Sequence, residues 1–344
     1  MAHPQDTAVG APYGVRFAGR TVLVTGAYGL LGSRLSAALV DRGARVLVVR
    51  RRPRPTSALV LEGTEGRCTV LEGDLLDEAF VERAVAAHGV DTVLHLAAQP
   101  IVDVADRSPR ATLESNVAGT WNVLEACRLA GVARTVVAAS VQAYGPSDVV
   151  PYTEDLPLRA THPYDVSKAA ADLIARSYWT TYGLPVAVTR FASVYGGGDQ
   201  HTSRLVPGAI AAVLAGRAPA LRSDGSPERD LLYVEDAVDA YLAICDLLDV
   251  TDGPPGRGEA FVAGGGTPHR VVDVVRLICR LAGRPDLEPE VRGTGRPGGT
   301  IDRRWVDASR LRGLTGWEPR VGLEDGLRRT IDWYRAHPGG LAPA

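Results

Sequence analysis

The stretch Thr25-Gly26-Ala27-Tyr28-Gly29-Leu30-Leu31-Gly32 follows a short apolar, β-branched run and precedes an amphipathic segment at residues 33–42. Strand, glycine turn and helix in this order are typical of a site that binds the diphosphate of a dinucleotide. Gly26 permits a tight turn, Gly29 lets the backbone approach the phosphates and Gly32 allows close packing, while the helix N-terminus attracts negative charge. Glycine turns also arise from packing alone, so the surrounding pattern must decide.

Short apolar runs alternate with segments of helical periodicity through the first half of the chain. They predict strands at residues 21–25, 45–49, 68–71, 92–97, 135–139 and 185–189. Such alternation is typical of βαβ units that form a parallel sheet with helices on both faces. We therefore expect an α/β protein with a Rossmann doubly wound parallel sheet, and we expect the glycine turn at its first βα junction to bind NAD or NADP.

Glycine and proline clusters become frequent beyond about Gly196, which predicts a smaller, loop-rich C-terminal lobe. We expect residues 17–195 to form the NAD(P)-binding Rossmann domain with the catalytic helix, and residues 196–336 to form mainly the substrate-binding lobe. The two ends, residues 1–16 and 337–344, are expected to be flexible. A chain of 344 residues with 45% hydrophobic content is long enough to bury a large core, and we expect two lobes that share an interface.

Composition argues against several classes of partner. The formal net charge is -2 with both signs mixed along the chain, which gives no electrostatic reason to bind nucleic acid or a membrane surface. No apolar run approaches the roughly 20 residues that span a bilayer. The four cysteines are far apart and have no metal-ligand spacing. We therefore expect small-molecule partners, no metal site and a reducing, cytoplasmic location.

The end of the second predicted strand bears on the choice of dinucleotide. NAD sites usually carry an acidic residue there, whereas this chain has Arg50 and Arg51, which suit a 2′-phosphate and favour NADP over NAD. A solvated basic loop is the alternative interpretation. Asp74 and Leu75 follow the third strand and are expected near the adenine, although aspartate after glycine is also an ordinary turn. The predicted cofactor contacts are Gly26, Tyr28, Gly29, Leu30, Gly32, Arg50, Arg51, Asp74, Leu75, Ala97 and Lys168.

Lys168 is the only lysine among 38 lysines and arginines, and it stands four residues after Tyr164. This spacing places both side chains on one face of a helix. A tyrosine with its ordinary pKa near 10 is a poor base at neutral pH, but a neighbouring ammonium and a nicotinamide cation would both favour the phenolate. Chance placement of the lysine is the alternative, since such pairs are common on exposed helices.

Further motifs follow the glycine turn in order, between about residues 19 and 335. They are His95-Leu96-Ala97-Ala98-Gln99, Asn116-Val117-Ala118-Gly119-Thr120, Tyr144-Gly145, Arg229-Asp230-Leu231-Leu232-Tyr233-Val234-Glu235-Asp236 and Gly316-Trp317-Glu318-Pro319. Together they resemble the extended short-chain dehydrogenase/reductases, in the nucleotide-sugar epimerase/dehydratase branch. The resemblance implies that Tyr164 is the base at a sugar hydroxyl, that Lys168 holds the nicotinamide ribose and lowers the pKa of Tyr164, and that Ser140 hydrogen-bonds the same hydroxyl. It also implies a homodimer through the helices around Asn116 and Tyr164.

Within that branch the chain most resembles CDP-glucose 4,6-dehydratase-like proteins, through Ala97-Ala98-Gln99-Pro100, Tyr195-Gly196-Gly197-Gly198-Asp199 and Ser203-Arg204-Leu205-Val206-Pro207. Those enzymes place an acid and a second proton-transfer group directly after the serine or threonine of strand five, because elimination of water needs both. This chain has Val141 and Gln142 there, and neither titrates. The departure shifts the interpretation from dehydratase to an epimerase that transfers hydride reversibly at sugar C4 through a 4-keto intermediate.

The resemblance also assigns contacts to a nucleotide-diphosphate sugar. Arg229 and Arg296 match positions that hold the diphosphate, which suits the planar fork of arginine. Arg204 and Leu205 match the segment near the base, and Ser193 stands where relatives usually carry asparagine. The predicted substrate contacts are Gln99, Gln142, Ser193, Arg204, Leu205, Arg229 and Arg296. We expect structural roles for the histidines at 95 and 162.

Three alternatives stay open from the sequence. A 4,6-dehydratase would take its acids from elsewhere, such as Asp199 or Glu154. A reductase of a 4-keto sugar would consume NADPH. A regulator would bind NAD(P) without turnover, although such a protein would not need Ser140, Tyr164 and Lys168 together.

Overall fold

The structure, a computed structural model, describes residues 17–250, 256–293 and 303–341. The strands are β1 (Thr21–Thr25), β2 (Arg45–Arg50), β3 (Thr69–Glu72), β4 (Thr92–His95), β5 (Arg134–Ala138), β6 (Val186–Phe191), β7 (Ser193–Tyr195), β8 (Ala220–Leu221), β9 (Glu228–Tyr233), β10 (Ala260–Ala263), β11 (Pro268–Arg270), β12 (Glu290–Val291) and β13 (Arg303–Arg304). The α-helices are α1 (Leu30–Asp41), α2 (Ala58–Leu61), α3 (Glu78–Ala86), α4 (Val102–Arg107), α5 (Pro109–Leu113), α6 (Gly119–Ala130), α7 (Pro163–Tyr182), α8 (Leu205–Leu214), α9 (Val234–Leu248), α10 (Val271–Leu281), α11 (Ser309–Thr315) and α12 (Leu323–Ala336). A π-helical turn spans Glu114–Ala118, and 3₁₀ turns span Thr64–Arg67, Val141–Tyr144 and Pro338–Leu341. None of the helices in these three described ranges is long and apolar enough to cross a membrane.

The main sheet, within the described ranges, has seven parallel strands in the order β10-β6-β5-β4-β1-β2-β3. The chain runs outward from β1 to β3, then returns to β4 on the other side of β1, which is the doubly wound topology. The predicted Rossmann α/β fold is confirmed. The sequence pattern does not predict β10, because four residues close to a glycine cluster show no periodicity. That strand pairs with β6, with Ala260 opposite Val188.

Helices cover both faces of this sheet, so its strands are apolar on both sides. In β1, Val22 and Val24 pack with α1 and α9 in one core, whereas Leu23 packs with α3, α6 and α7 in the other. Burying a side chain of this size stabilises the fold by about 1.5–3 kcal/mol. This two-sided burial explains why the strands read as continuous apolar runs.

A second lobe forms around a small sheet in which β9 lies between β11 and β13 and also pairs with β7. Its core includes Ile210 of α8, Ile278 of α10 and Ile331 of α12. Within the segment 196–336, β10 joins the Rossmann sheet and α9 packs on one face of that sheet. The chain therefore passes between the lobes more than once. The domain boundary at residue 195 stays a prediction.

The predicted flexible ends are only partly described. Residues 1–16 and 342–344 lie outside the described residues. His337 stacks on Trp333 with ring centroids 4.5 Å apart, and Pro338–Leu341 form a 3₁₀ turn. The described residues therefore have local structure up to Leu341, and the flexibility of the two ends stays a prediction.

Candidate active site

The glycine turn lies at the carboxyl end of β1. In doubly wound folds, ligands bind at the carboxyl ends of the parallel strands. Gly26 has a φ of 73°, and a Cβ at this position would lie 2.7 Å from the backbone nitrogen of Ala97. Gly29 is the N-cap of α1 and has no side chain to accept the first N–H groups of that helix. These N–H groups are therefore free to bind a phosphate. The turn provides the close backbone approach that a dinucleotide diphosphate needs.

Carboxylates surround Arg50 at the end of β2, where the ribose contact is predicted. Arg50 donates to Glu65 at 3.0 Å and to Glu72 at 2.6 Å, and the Tyr28 hydroxyl donates to Glu65 at 2.5 Å. Burial, followed by the hydrogen bond to Glu65, raises the pKa of Tyr28. Because the charge of Arg50 is already neutralised, this region does not favour an additional 2′-phosphate.

The other residues predicted to contact the adenosine have local partners. Arg51 lies 3.9 Å from Asp74, whose side chain accepts from the Leu76 nitrogen and closes a turn. The Leu75 carbonyl accepts from the Asn122 side chain at 2.8 Å. Leu30 is buried in the core of the second lobe. Their contacts with a cofactor stay predictions.

The end of β5 and the first turns of α7 bring Ser140, Tyr164 and Lys168 together. The Ser140 side chain lies near enough to the Tyr164 hydroxyl to lower its pKa, and it accepts from the Gln142 nitrogen at 3.2 Å. Lys168 lies one helical turn after Tyr164, and its Nζ donates to the Ala138 carbonyl at 2.8 Å. A serine–tyrosine pair in this geometry is able to bind and deprotonate a substrate hydroxyl.

Burial dominates the ionisation of both helix residues. It raises the pKa of Tyr164, while the charge of Arg204, the nearby Ser140 hydroxyl and the charge of Arg304 lower it. Burial lowers the pKa of Lys168 to about 8. The positive charges that act on the phenol thus come from arginines in the second lobe, because the lysine ammonium is directed to the Ala138 carbonyl. The predicted influence of Lys168 on Tyr164 stays a prediction.

The two positions after Ser140 differ in environment. Val141 is buried in an apolar cluster with Tyr144, Tyr152, Val262 and Val306. Gln142 is half-buried and follows it in the Val141–Tyr144 3₁₀ turn. Because Val141 is packed in this cluster and has no titratable group, the position directly after Ser140 offers no proton donor.

The two acids considered as replacements are both engaged. Asp199 accepts from Arg204 at 2.9 Å, and Glu154 accepts from the Val262 nitrogen at 2.9 Å. Burial raises the pKa of Glu154. Of the two acids, Asp199 is linked to the site through its partner Arg204, whose charge lowers the pKa of Tyr164.

The predicted substrate contacts are spread over both lobes. The Gln99 amide is held inside its own loop by Ile101 and Thr112. Ser193 is exposed on β7, Leu205 begins α8, and Arg229 lies on β9 and donates to the Glu228 carbonyl. Arg296 lies outside the described residues. Among these residues, Arg204 is close enough to Tyr164 for its charge to act on the phenol. The Gln99 side chain is hydrogen-bonded within the protein.

Two charged residues beside Tyr164 have no signal in the motifs. Asp165 follows Tyr164 in the chain, is 9% exposed, and its Oδ1 is buried without a hydrogen-bond partner among the described residues. The Arg304 Nε on β13 is buried and has no partner in the described part of the chain either, and the charge of Arg304 acts on both Tyr164 and Asp165. Arg304 is too far from Tyr164 in the chain for any spacing pattern to connect them.

A family model described as the NAD dependent epimerase/dehydratase family matches residues 22–264, which include the glycine turn, Ser140, Tyr164 and Lys168. The chain belongs to this family.

Proteins named as epimerases and proteins named as dehydratases both resemble this family member over nearly all of its length. It is 34% identical to a dTDP-glucose 4,6-dehydratase from Xanthomonas campestris pv. campestris, over 91% of this chain and 93% of that protein. The UDP-glucose 4-epimerase of Thermotoga maritima, solved with UDP-glucose, is 29% identical with a TM-score of 0.83 over 92% and 99% of the two chains. A dTDP-glucose 4,6-dehydratase of Streptomyces venezuelae, solved with NAD, is 29% identical with a TM-score of 0.83 over 94% and 99%.

The expectation of NADP is not supported by these findings. The family is NAD-dependent by description, and the Streptomyces dehydratase was solved with NAD. In this family member the Gly26 cradle and the uncapped start of α1 fit the diphosphate of NAD. Of the two arginines on which the expectation rested, Arg50 is bound by Glu65 and Glu72 and Arg51 lies 3.9 Å from Asp74.

His95 and His162 lie near the site, and both form hydrogen bonds within the protein. His95 is buried, its Nδ1 lies 2.8 Å from the Thr25 hydroxyl and its Nε2 lies 3.0 Å from the Thr120 hydroxyl. Burial, followed by the charge of Lys168, lowers the pKa of His95 to about 3, so its ring is neutral at physiological pH. His162 caps α7 by accepting from the Tyr164 nitrogen at 3.2 Å. Neither ring is arranged as a proton donor to the Ser140–Tyr164 pair.

Proposed function

We propose that this chain is an NAD-dependent nucleotide-sugar epimerase that inverts the sugar at C4 through a 4-keto intermediate. The observation that carries the proposal is the pairing of an intact Ser140, Tyr164 and Lys168 with Val141 and Gln142. Oxidation and reduction at C4 need only the first three residues besides the nicotinamide that would take and return the hydride, whereas elimination of water needs additional acid and base groups. The apolar cluster around Val141 supports this assignment.

In this mechanism Tyr164 accepts the proton of the C4 hydroxyl and later returns it to the C4 oxygen. Ser140 hydrogen-bonds that hydroxyl and orients it towards the phenol. Arg204 and Arg304 favour the phenolate that forms. Lys168 holds the nicotinamide ribose. The Gly26–Gly32 turn would hold NAD, which would accept the hydride and return it, so the reaction would be redox-neutral overall.

The second lobe holds the nucleotide end of the substrate in this proposal. Arg229 binds the diphosphate from β9, and Arg204 lies beside Tyr164 at the start of α8. Because the sugar must present its other face before hydride returns, the nucleotide has to be held more firmly than the sugar ring. The bidentate geometry of arginine on phosphate suits that requirement.

A second candidate is a nucleotide-sugar 4,6-dehydratase. It is favoured by the 34% identity to a protein named dTDP-glucose 4,6-dehydratase. Asp165 and Asp199 are the carboxyl groups near Tyr164 that such a reaction would use, and burial raises the pKa of Asp165 towards that of a general acid.

Product analysis separates the two reactions. The purified protein is incubated with NAD and with UDP-, dTDP-, CDP- or GDP-glucose, and the products are analysed by mass spectrometry and NMR. The epimerase proposal expects a 4-epimer of unchanged mass, whereas a 4-keto-6-deoxy product lighter by one water would establish the dehydratase. Tyr164→Phe is expected to lower the rate by roughly 10²–10⁴, while Tyr178→Phe, on the same helix and hydrogen-bonded to Glu125, keeps it.

We also propose that the chain forms a homodimer through α6 and α7. These helices pack side by side and leave apolar side chains exposed on their outer faces, namely Trp121, Leu129, Val166 and Leu173. Light scattering of the double variant Trp121→Glu/Leu173→Glu is expected to give a monomer, whereas Leu314→Glu, at an exposed apolar position on α11, keeps the dimer. A monomeric wild-type protein would contradict the proposal.

A further inference from the structure

The carboxylate of Glu65 lies between the glycine turn and the end of β2, and no motif in the sequence assigns it a role. The Tyr28 hydroxyl of the glycine turn donates to its Oε1 at 2.5 Å. Nη1 of Arg50, the last residue of β2, donates to the same oxygen at 3.0 Å. Glu65 itself belongs to the Thr64–Arg67 3₁₀ turn that precedes β3. Three separate segments of the chain therefore meet at one carboxylate.

In a doubly wound fold, the adenosine ribose of a dinucleotide lies where these segments meet. The diphosphate binds at the glycine turn, and in NAD sites an acidic residue near the end of the second strand accepts from the ribose 2′-hydroxyl. This chain has Arg50 at the end of that strand. Folding brings a carboxylate to the same place from Glu65, which is 15 positions further along the chain. The acid that the sequence lacks at β2 is thus supplied by another element.

One oxygen of the Glu65 carboxylate is left for a ligand. Both hydrogen bonds reach Oε1, and within the described parts of the chain none reaches Oε2. The side chain is 25% exposed, so its two donors hold it without closing it off from solvent. Burial, followed by the hydrogen bond to Glu65, raises the pKa of Tyr28, so its hydroxyl keeps the proton and remains a donor. The carboxylate is therefore both fixed in place and able to accept a further hydrogen bond.

The charges around Arg50 oppose a phosphate group at this place. Arg50 also donates at 2.6 Å to Glu72, which lies opposite it in the register of β2 and β3. One guanidinium does not neutralise two carboxylates, so these three side chains keep a net negative charge. A phosphate monoester carries about −1.5 to −2 charges at pH 7 and offers acceptor oxygens, so Glu65 would repel it. A ribose hydroxyl is neutral and is able to donate to a carboxylate.

We propose that Glu65 is the residue that determines dinucleotide specificity in this protein. Its Oε2 accepts from the 2′-hydroxyl of the adenosine ribose of NAD, and its charge excludes the 2′-phosphate of NADP. Arg50 acts as a positioning residue for this carboxylate. The assignment explains how a chain with arginine at the end of β2 belongs to a family described as NAD dependent. It goes beyond the proposed function, because Glu65 would serve an epimerase and a dehydratase alike.

Cofactor binding tests the proposal without sugar substrate and without turnover. Isothermal titration of the full chain, freed of bound dinucleotide, gives dissociation constants for NAD, NADP and the NAD analogue with 2′-deoxyadenosine. The wild type is expected to bind NAD roughly 10- to 100-fold more tightly than the deoxy analogue, as for a hydrogen bond to a charged group. It is also expected to bind NAD more tightly than NADP. Glu65→Gln keeps the size of the side chain and is expected to lower the preference for NAD over NADP by about tenfold, because one repelling charge is removed.

Two further variants serve as controls. Asp41→Asn removes a carboxylate that pairs with Arg67 of the same 3₁₀ turn, and it is expected to leave all three dissociation constants unchanged. Arg50→Gln in the Glu65→Gln background is expected to cancel the gain in NADP binding, because the gain depends on a guanidinium released from Glu65.

Several results would overturn the proposal. Equal affinity of the wild type for NAD and NADP would do so, and so would full binding of the deoxy analogue. If Glu65→Gln weakened NAD and NADP equally, Glu65 would be a structural residue of its turn. Discrimination as expected, by a protein that forms no 4-epimer from any nucleotide sugar, would refute the epimerase proposal and leave the assignment of Glu65 standing.

Discussion

The ammonium group of Lys168 is buried against the Ala138 carbonyl, where its proton is held less firmly than in water. Burial lowers the pKa of Lys168 to about 8, from an ordinary value near 10.4. The group is charged below this pKa and loses its charge as pH rises through it. A lysine that stands alone among arginines thus occupies a position where its charge is adjustable, as that of an arginine is not.

This shift predicts an alkaline limit on activity. The kcat/KM of the wild-type protein is expected to fall as pH rises through about 8, because the neutral amine holds the nicotinamide ribose less well. Lys168→Arg is expected to be slower at every pH but without this fall, since a guanidinium keeps its proton. Rates between pH 6 and 10 test it, and an identical alkaline limb in both proteins would contradict it.

Gly26 is a residue of the turn at which both the backbone conformation and the surrounding space exclude a side chain. Its φ of 73° is strained for an L residue, and a Cβ would also collide with the backbone of Leu96 and Ala97. Gly26→Ala is therefore expected to abolish NAD binding, measured by calorimetry, and to lower the melting temperature. Gly63→Ala is the matched control, because Gly63 has a φ of 72° with no atom within 4 Å of the added Cβ. NAD binding retained by Gly26→Ala would refute the assigned phosphate site.

At the scale of elements, α7 is anchored to the sheet by an ion pair one turn after Lys168. Arg190 of β6 donates to both carboxylate oxygens of Asp172, at 2.7 and 2.9 Å, and both side chains are buried. Arg190 also donates to the Tyr144 hydroxyl and to the Glu154 carbonyl, each at 3.0 Å. The helix that carries the phenol is thereby tied to the turn that follows Ser140.

Removal of one partner leaves a buried charge uncompensated. Asp172→Asn is expected to lower the free energy of unfolding by about 3–5 kcal/mol, measured by urea denaturation. Tyr144→Phe removes one neutral hydrogen bond to Arg190 and is expected to cost about 1 kcal/mol. Equal effects of the two variants would show that the ion pair is not the anchor.

At the scale of the whole molecule, the end of α9 is bound by ion pairs to the Rossmann sheet, at the edge where β1 and β5 begin. Asp249, at the end of α9, accepts from Arg20 before β1 and from Arg134 at the start of β5. Arg134 also donates to Asp91 at 2.7 Å. Burial raises the pKa of Asp249, but the two arginines outweigh it and hold the pKa below its ordinary value.

Stability is therefore expected to depend on this carboxylate in a defined pH range. A carboxyl group with a lowered pKa in the folded state stabilises the protein above its unfolded pKa, about 3.9, and this contribution is lost as pH falls through the folded value. Asp249→Asn is expected to lower the free energy of unfolding by about 1–3 kcal/mol at pH 7. The difference from wild type should shrink below about pH 4.

The control for this prediction is an exposed ion pair. Asp41→Asn removes a surface contact with Arg67 and is expected to change stability by less than about 1 kcal/mol. A pH-independent difference between Asp249→Asn and the wild type would contradict the assigned role of the charge.

Local patterns in the sequence were sufficient for the Rossmann fold and for the glycine turn, because each depends on residues within a few positions of one another. The apolar runs that become β1 to β6 are buried on both faces, and so they are visible without knowledge of their partners. The spacing of Tyr164 and Lys168 is likewise a property of one helix.

Contacts between distant segments were decided by the tertiary structure alone. The neutralisation of Arg50 by Glu65 and Glu72, the addition of β10 to the sheet and the approach of Arg304 to Asp165 join residues whose separation follows no period. The sequence by itself therefore determined the Rossmann fold and predicted the Ser140, Tyr164 and Lys168 set, whose catalytic roles stay predictions. Folding decided which charges surround that set, because the charges that act on a buried group depend on packing in space.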